Sequence, residues 1–174
     1  GGRKMHSVTY RTNAVLTMGV TGLLVLCAAI ATTDVFHRSK PEANLRIHDT
    51  HYFQPLGKND EAVLSFNLQG DLSSCFSWNT KQLFAYIKIV YETKKHKRNE
   101  VTVWDKIISS KEAAKDIEEI FLSKYRLVDN GRDLRGRDVN ITLAWNVMPY
   151  IGALYFEELT FSGTLPSEYI RGEA

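Results

Sequence analysis

The stretch Thr12–Thr33, TNAVLTMGVTGLLVLCAAIATT, decides how the rest of the chain is read. It carries no charged side chain, and from Ala14 to Ala31 it is almost wholly apolar. A helix rises about 1.5 Å per residue, so roughly 20 such residues cross a hydrocarbon core of about 30 Å. Nothing comparable occurs later in the chain. The sequence therefore predicts a short tail over residues 1–11, one transmembrane signal-anchor helix over 12–33, and a polar-faced domain over 34–174. Two alternatives compete. A cleaved signal peptide would use Ala29-Ile30-Ala31 as its small-residue site, but its apolar core spans only about 7–15 residues. A buried core helix is the other. Arg3, Lys4 and Arg11 on one flank are matched by Arg38, Lys40 and Arg46 on the other, so charge asymmetry does not set the orientation. Gly1–Lys4 precede Met5, which reads as the natural start.

Beyond the anchor the period changes to two. Leu64, Phe66 and Leu68 alternate with Ser65, Asn67 and Gln69, as in a half-buried strand. Leu83, Ala85, Ile87, Ile89 and Tyr91 share one face, and Phe84, Tyr86 and Val90 populate the other. The cleanest strand runs from Val139 to Val147. Val139, Ile141, Leu143, Trp145 and Val147 point inward, and Asn140, Thr142, Ala144 and Asn146 outward. Leu45 and Ile47 mark a short, weak strand. Leu154 and Phe156 fall on one parity and Leu159 and Phe161 on the other, which a bulge near Glu157-Glu158 would reconcile. Residues from Thr164 onward read as a tail. One segment breaks the pattern: between Lys111 and Tyr125, apolar residues recur at three and four, predicting an amphipathic helix with Ser110 as N-cap. About six or seven strands with turns between them, and no βαβ alternation, define a mainly β fold. The expectation is an antiparallel β-sandwich with one inserted amphipathic helix.

The chain has 22 Lys plus Arg against 20 Asp plus Glu, a balance that argues against a nucleic-acid binder. Lys94-Lys95-His96-Lys97-Arg98 reads as a solvated hairpin tip. Of the two cysteines, Cys27 lies inside the apolar run and Cys75 outside it, so no internal disulfide is expected and Cys75 reads as buried filler. His48 and His51 would face opposite ways on a strand, and no ligand set surrounds them. No G-x-S-x-G, P-loop or H-E-x-x-H is present. The residues thus suggest no catalytic, cofactor or metal site. Asn140-Ile141-Thr142 is an N-glycosylation sequon on the outward face of its strand, with an ordinary exposed asparagine as the alternative. An occupied sequon places the large domain in the lumen and the short tail in the cytosol.

Several segments carry a family resemblance: Trp78-Asn79-Thr80-Lys81-Gln82-Leu83-Phe84, Val103-Trp104-Asp105-Lys106-Ile107 and the run from Asn140 to Pro149. Asp129-Asn130-Gly131, Leu134-Arg135-Gly136 and Arg11-Thr12-Asn13 also fit. Together they resemble subunit 3 of the eukaryotic signal peptidase complex, from about Met5 to Leu154. The resemblance implies a single-pass type II protein of the endoplasmic reticulum membrane with a lumenal β-sandwich. It implies a non-catalytic accessory subunit, without cofactors, that scaffolds the catalytic serine-protease subunit beside other small membrane subunits. Nascent chains bearing signal peptides would meet it only indirectly. It also matches Asn140 to a glycosylated position. The Lys94–Arg98 loop and the stretch after Tyr155 match loosely. Tyr52, Phe53 and Tyr86 are candidate outward aromatics for docking, Tyr86 being equally suited to the core. A membrane-tethered binding module and a hydrolase with scattered Ser and His residues are the rival readings.

Overall fold

The computed structural model describes residues 8–171. Met5 and the residues before it lie outside the described residues.

Helix α1 spans Val8–Val35, 28 residues, which is about 42 Å of helix. It extends the predicted span at both ends. None of its residues is buried, which removes the core-helix alternative. Its threonines are fitted to an apolar surround. The hydroxyls of Thr12, Thr21, Thr32 and Thr33 donate to the carbonyls of Val8, Thr17, Ala28 and Ile30 at 2.6–2.9 Å. Each of these four hydroxyls is satisfied within the helix, as an apolar surround favours.

The rest is β1 (Glu42–Leu56), β2 (Asn59–Asp71), β3 (Thr80–Tyr91), β4 (Asn99–Ile108), β5 (Ile117–Leu122), β6 (Leu127–Asp129), β7 (Asp138–Pro149) and β8 (Tyr155–Thr164). One sheet has the order β1-β2-β5, with β6 also pairing β2; the other has the order β4-β3-β7-β8. Every pairing is antiparallel. The inward residues of the two sheets form one core, with Leu64, Phe66 and Leu68 from one and Ile87, Ile89, Ile141, Leu143 and Trp145 from the other. Trp104 of β4 stacks on Phe121 of β5 at 4.5 Å between centroids and so closes one seam of the sandwich.

The inserted helix is not there. Residues 111–116 form turns and Ile117–Leu122 is strand β5 on the edge of β2. The spacing 117–121 is even, so it satisfies both a helical face and a strand face. The spacing 117–120 satisfies only a helix, and in the strand Ile120 turns out to solvent. Pairing the free edge of β2 overrides the local pattern. Ser110 Oγ does accept the Ala113 N–H at 3.2 Å, a genuine local cap. The turn ends at Asp116, whose φ of 48° leaves the helical region.

Three further expectations change. β8 pairs β7 without a register shift, so no bulge exists near Glu157; Leu154 and Phe156 point outward instead. β1 is long rather than short, with register shifts after Ile47 and Thr50 that break its alternation. The segment after Thr164 is no loose tail. Leu165 is buried, and the Ile170 and Phe53 backbones exchange hydrogen bonds at 2.8 Å. Phe53 itself is interior, edge-on to Tyr169 at 5.2 Å, and so is not an outward docking aromatic. Tyr52 and Tyr86 are half-buried.

Candidate functional site

The helix and the sandwich meet in a polar knot. Asp34, in the last turn of α1, accepts from the Ser77 hydroxyl through Oδ1 at 3.0 Å and from the Asn79 amide through Oδ2 at 2.5 Å. Asn79 is buried and uses both ends of its side chain. Nδ2 also donates to the Ile151 carbonyl at 2.7 Å, and Oδ1 accepts the Ile151 N–H at 3.2 Å. Its own carbonyl accepts the Tyr150 N–H at 2.8 Å. One asparagine thus ties the helix end to the β2–β3 and β7–β8 loops. The polar stretch between α1 and β1 is pinned as well. His37 Nε2 lies 2.8 Å from the Ser74 carbonyl, and the Ser39 hydroxyl donates to Glu157 at 2.7 Å. Gly152, at φ 127°, adopts a backbone that favours glycine and faces Ala31 of the helix, where an added Cβ would come into van der Waals contact. The anchor and the domain are therefore joined by hydrogen bonds as well as by the connecting chain.

Behind the knot lie Cys75 and Tyr155. Burial pushes the Cys75 thiol up to about 12, with the Glu157 carboxylate adding to it. Burial likewise pushes the Tyr155 phenol up to about 12, with Cys75, Glu157 and Asp34 adding to it. A thiol held neutral is a poor nucleophile, so Cys75 serves as packing.

The opposite end of the sandwich is closed by a second knot. Asp60 is fully buried, and its carboxylate accepts the Tyr169 hydroxyl at 2.9 Å and the Leu134 N–H at 3.3 Å. Asp129 accepts the Tyr91 hydroxyl at 3.0 Å, and the Gly131 carbonyl accepts the Asp60 N–H at 2.7 Å. Gly136, at φ 57°, lets its N–H reach the Pro166 carbonyl at 2.8 Å. Asp129-Asn130-Gly131 and Leu134-Arg135-Gly136 thus have structural roles.

Asn140 sits on the outer face of β7, exposed, between Val90 of β3 and Ser162 of β8. Thr142, the hydroxyl residue of the sequon, is buried and lies 3.2 Å from the Thr160 hydroxyl. Asn140 is nine residues from Pro149, so about 30 Å of strand separates it from the knot at α1.

Among the described residues no group of three or more His, Cys, Asp or Glu is placed to hold a metal ion. His48 and His51 are exposed on β1, and His96 lies in the β3–β4 hairpin tip. Asp34 and Asn79 carry the join between anchor and domain; Asn79 lies in a segment that carries the resemblance, but the sequence gives neither residue a role, since they are 45 positions apart and only the fold brings them together.

The architecture is an N-terminal apolar helix, long enough to cross a bilayer, followed by an antiparallel β-sandwich. A sequence model of the family described as signal peptidase subunit matches residues 5–168, and the chain belongs to that family. Three relatives are each named signal peptidase complex subunit 3. That of Gallus gallus is 34% identical over 157 residues, covering 86% of this chain and 87% of the relative. That of Homo sapiens is 32% identical over 160 residues, with the same coverage. That of Dictyostelium discoideum is 29% identical over 168 residues, covering 96% of this chain and 98% of its own.

Proposed function

We propose that the chain is a non-catalytic accessory subunit of the endoplasmic reticulum signal peptidase complex. It is single-pass and type II, with the sandwich lumenal, and it scaffolds the catalytic serine-protease subunit. The observation that carries this reading is the knot of Asp34, Ser77 and Asn79. A domain fixed to its anchor holds whatever docks on it at a set height and tilt above the bilayer. Cleavage of a bond that emerges from the membrane depends on such placement, because roughly 1 Å of displacement costs about 100-fold in rate.

Asn140 is a glycosylation site in this reading. Because Thr142 is covered by β8, the sugar is attached before β8 pairs with β7. A glycan there keeps the distal outer face of the second sheet solvated. That leaves the first sheet, where Ile120, Leu122 and Tyr125 are exposed along β5 and the loop after it, as the face that docks on the protease.

The test is a gentle-detergent pull-down of the tagged chain. It should recover a serine signal peptidase with other small membrane subunits. Ile120→Arg with Leu122→Asp should lose the protease while the sandwich stays folded, as read by near-ultraviolet circular dichroism. Recovery of the bait alone would sink the scaffold and leave a tethered binding module.

A further inference from the structure

The sandwich is built to touch the bilayer as well as to hang from it. The depth of the β7–β8 loop is set by its contact with α1. Between Cys27 and Asp34 the half-covered helix residues are Cys27, Ile30, Ala31 and Asp34, spaced i, i+3, i+4 and i+7. They form one face, turned toward the domain. A Cβ added to Gly152 would stand 3.5 Å from the Ala31 Cβ. Ala31 lies three residues before Asp34, about 4.5 Å back along the helix axis, and it is the last residue of the apolar run. The loop is therefore level with the end of that run, where acyl chains give way to headgroups.

The side chains at this level suit that boundary. Trp78 is 67% exposed, Tyr150 68% and Leu154 65%. Trp78 sits between Ser77 and Asn79, both bonded to Asp34, and Tyr150 is held through its N–H by Asn79. These apolar groups are thus fixed outward by a part-buried hydrogen-bond network centred on Asn79. Tryptophan and tyrosine partition to the interface because one part of the ring is apolar and another is polar. Exposed Arg38 and Lys40 on the connecting segment place cations where lipid phosphates lie. Continuity with the membrane helix selects phospholipid as the occupant.

We propose that the β2–β3 and β7–β8 loops insert Trp78, Tyr150 and Leu154 into the headgroup layer of the leaflet that α1 exits. This gives the domain second and third points of membrane contact. The inference rests on α1 spanning the bilayer, and the test separates the two. The full chain is reconstituted into phosphatidylcholine vesicles carrying bromines at shallow or at deep acyl positions, and is first floated on a density gradient. A chain that floats should show tryptophan quenching by shallow bromolipid exceeding quenching by deep bromolipid. Trp78→Ala should remove this component, since Trp104 and Trp145 are buried in the sandwich, and Trp78→Ala with Tyr150→Trp should restore it. A floating chain quenched equally with and without Trp78, or one whose Trp78 answers only to aqueous iodide, overturns the insertion and leaves the anchor standing. A chain that does not float overturns both. In intact microsomes, a benzophenone photo-crosslinker at position 78 should label lipid; a crosslink to a protein of discrete size overturns the proposal in favour of a subunit contact.

Discussion

The two ends of the sandwich solve the same problem with opposite surfaces. Each is closed by a polar knot that binds loops distant in sequence: Asp34, Ser77 and Asn79 beside the helix, and Asp60, Asp129, Tyr91 and Tyr169 at the far end. At the far end the aromatic rings turn inward. Tyr91 is buried and Tyr169 packs on Phe53, with their hydroxyls spent on carboxylates. Beside the helix the rings turn outward, and Trp78 and Tyr150 stand exposed. Knots of similar construction therefore serve different ends. The far one seals a core against water, and the near one presents apolar groups while fixing the domain to its anchor.

The comparison breaks most sharply at Asn79. Asn79→Ala removes three part-buried hydrogen bonds, to Asp34 and to the N–H and carbonyl of Ile151, each contributing about 0.5–1.5 kcal/mol. Denaturant titration of the full chain should show a loss of about 2–4 kcal/mol. The loss should come with protease nicking confined to residues 36–41 and 150–154, because the sandwich core is untouched. Co-purification with the protease should fall even at temperatures where the sandwich is folded. If it does not, rigid coupling is irrelevant to assembly.

Tyr91→Phe probes the other end and should cost less, about 1–2 kcal/mol, since Asp129 loses one donor and the ring stays packed. Its effect should spread through the sandwich rather than localise, and assembly should be normal once folded. Nicking confined to the helix-side loops in this variant would contradict the assignment of the two knots.

Alkaline pH sharpens the same contrast. Burial raises the Cys75 thiol from 9.0 to about 12 on the helix side. On the far side, burial with the Asp129 carboxylate raises the Tyr91 phenol from 10.0. In both cases the folded state holds its proton after the unfolded state has released it. Stability is thus full below about pH 9 and falls as pH rises above it, since the unfolded chain then binds fewer protons. Unfolding free energies measured at pH 7, 9 and 10.5 should decline over the last interval. Cys75→Ala should remove the part that begins near pH 9, and Tyr91→Phe should reduce the part that begins near pH 10, to which the buried Tyr155 phenol also contributes. A decline of the same size in the double variant would assign it to other groups.

How far the sequence reveals this molecule depends on the range over which each signal acts. The anchor and the strand from Val139 to Val147 were legible because one period is sustained long enough to exclude its rivals. All five inward residues predicted for that strand are buried, and so are Thr142 and Ala144, which the alternation placed outward and which the flanking strands β3 and β8 cover. Lys111–Tyr125 misled because the spacing of Ile117, Ile120 and Phe121 is that of a helix, and the deciding partner, the edge of β2, is some fifty residues upstream. Leu154 and Phe156 misled differently. Their apolar character suggested a buried parity and therefore a bulge, whereas they face outward at the end that meets α1. The knots were illegible because aspartates at the ends of a helix and of strands, and an asparagine in a loop, look like ordinary end and turn residues until the fold pairs them. Of the candidate site, only Asn140 announced itself, through a motif read by an enzyme rather than by the fold.

The smallest effect belongs to Asn140. Its side chain is exposed on a paired strand, and among the described residues it makes no side-chain hydrogen bond. Asn140→Gln should change the unfolding free energy by less than about 0.5 kcal/mol in the unglycosylated protein, as for surface substitutions generally. Thr142→Val also destroys the sequon, but it does so inside the sheet. Val replaces a buried hydroxyl that bonds Thr160, and since a hydrogen bond of this kind contributes a net of about 1 kcal/mol, a cost of that size is expected. Both variants should abolish the glycosidase-sensitive shift, and only the second should lower stability. If Asn140→Gln instead impairs assembly with the protease while Thr142→Val does not, the asparagine side chain itself lies in the docking face. The glycan would then be absent from the working protein, and the outer face of the second sheet, rather than the one bearing Ile120 and Leu122, would carry the scaffold.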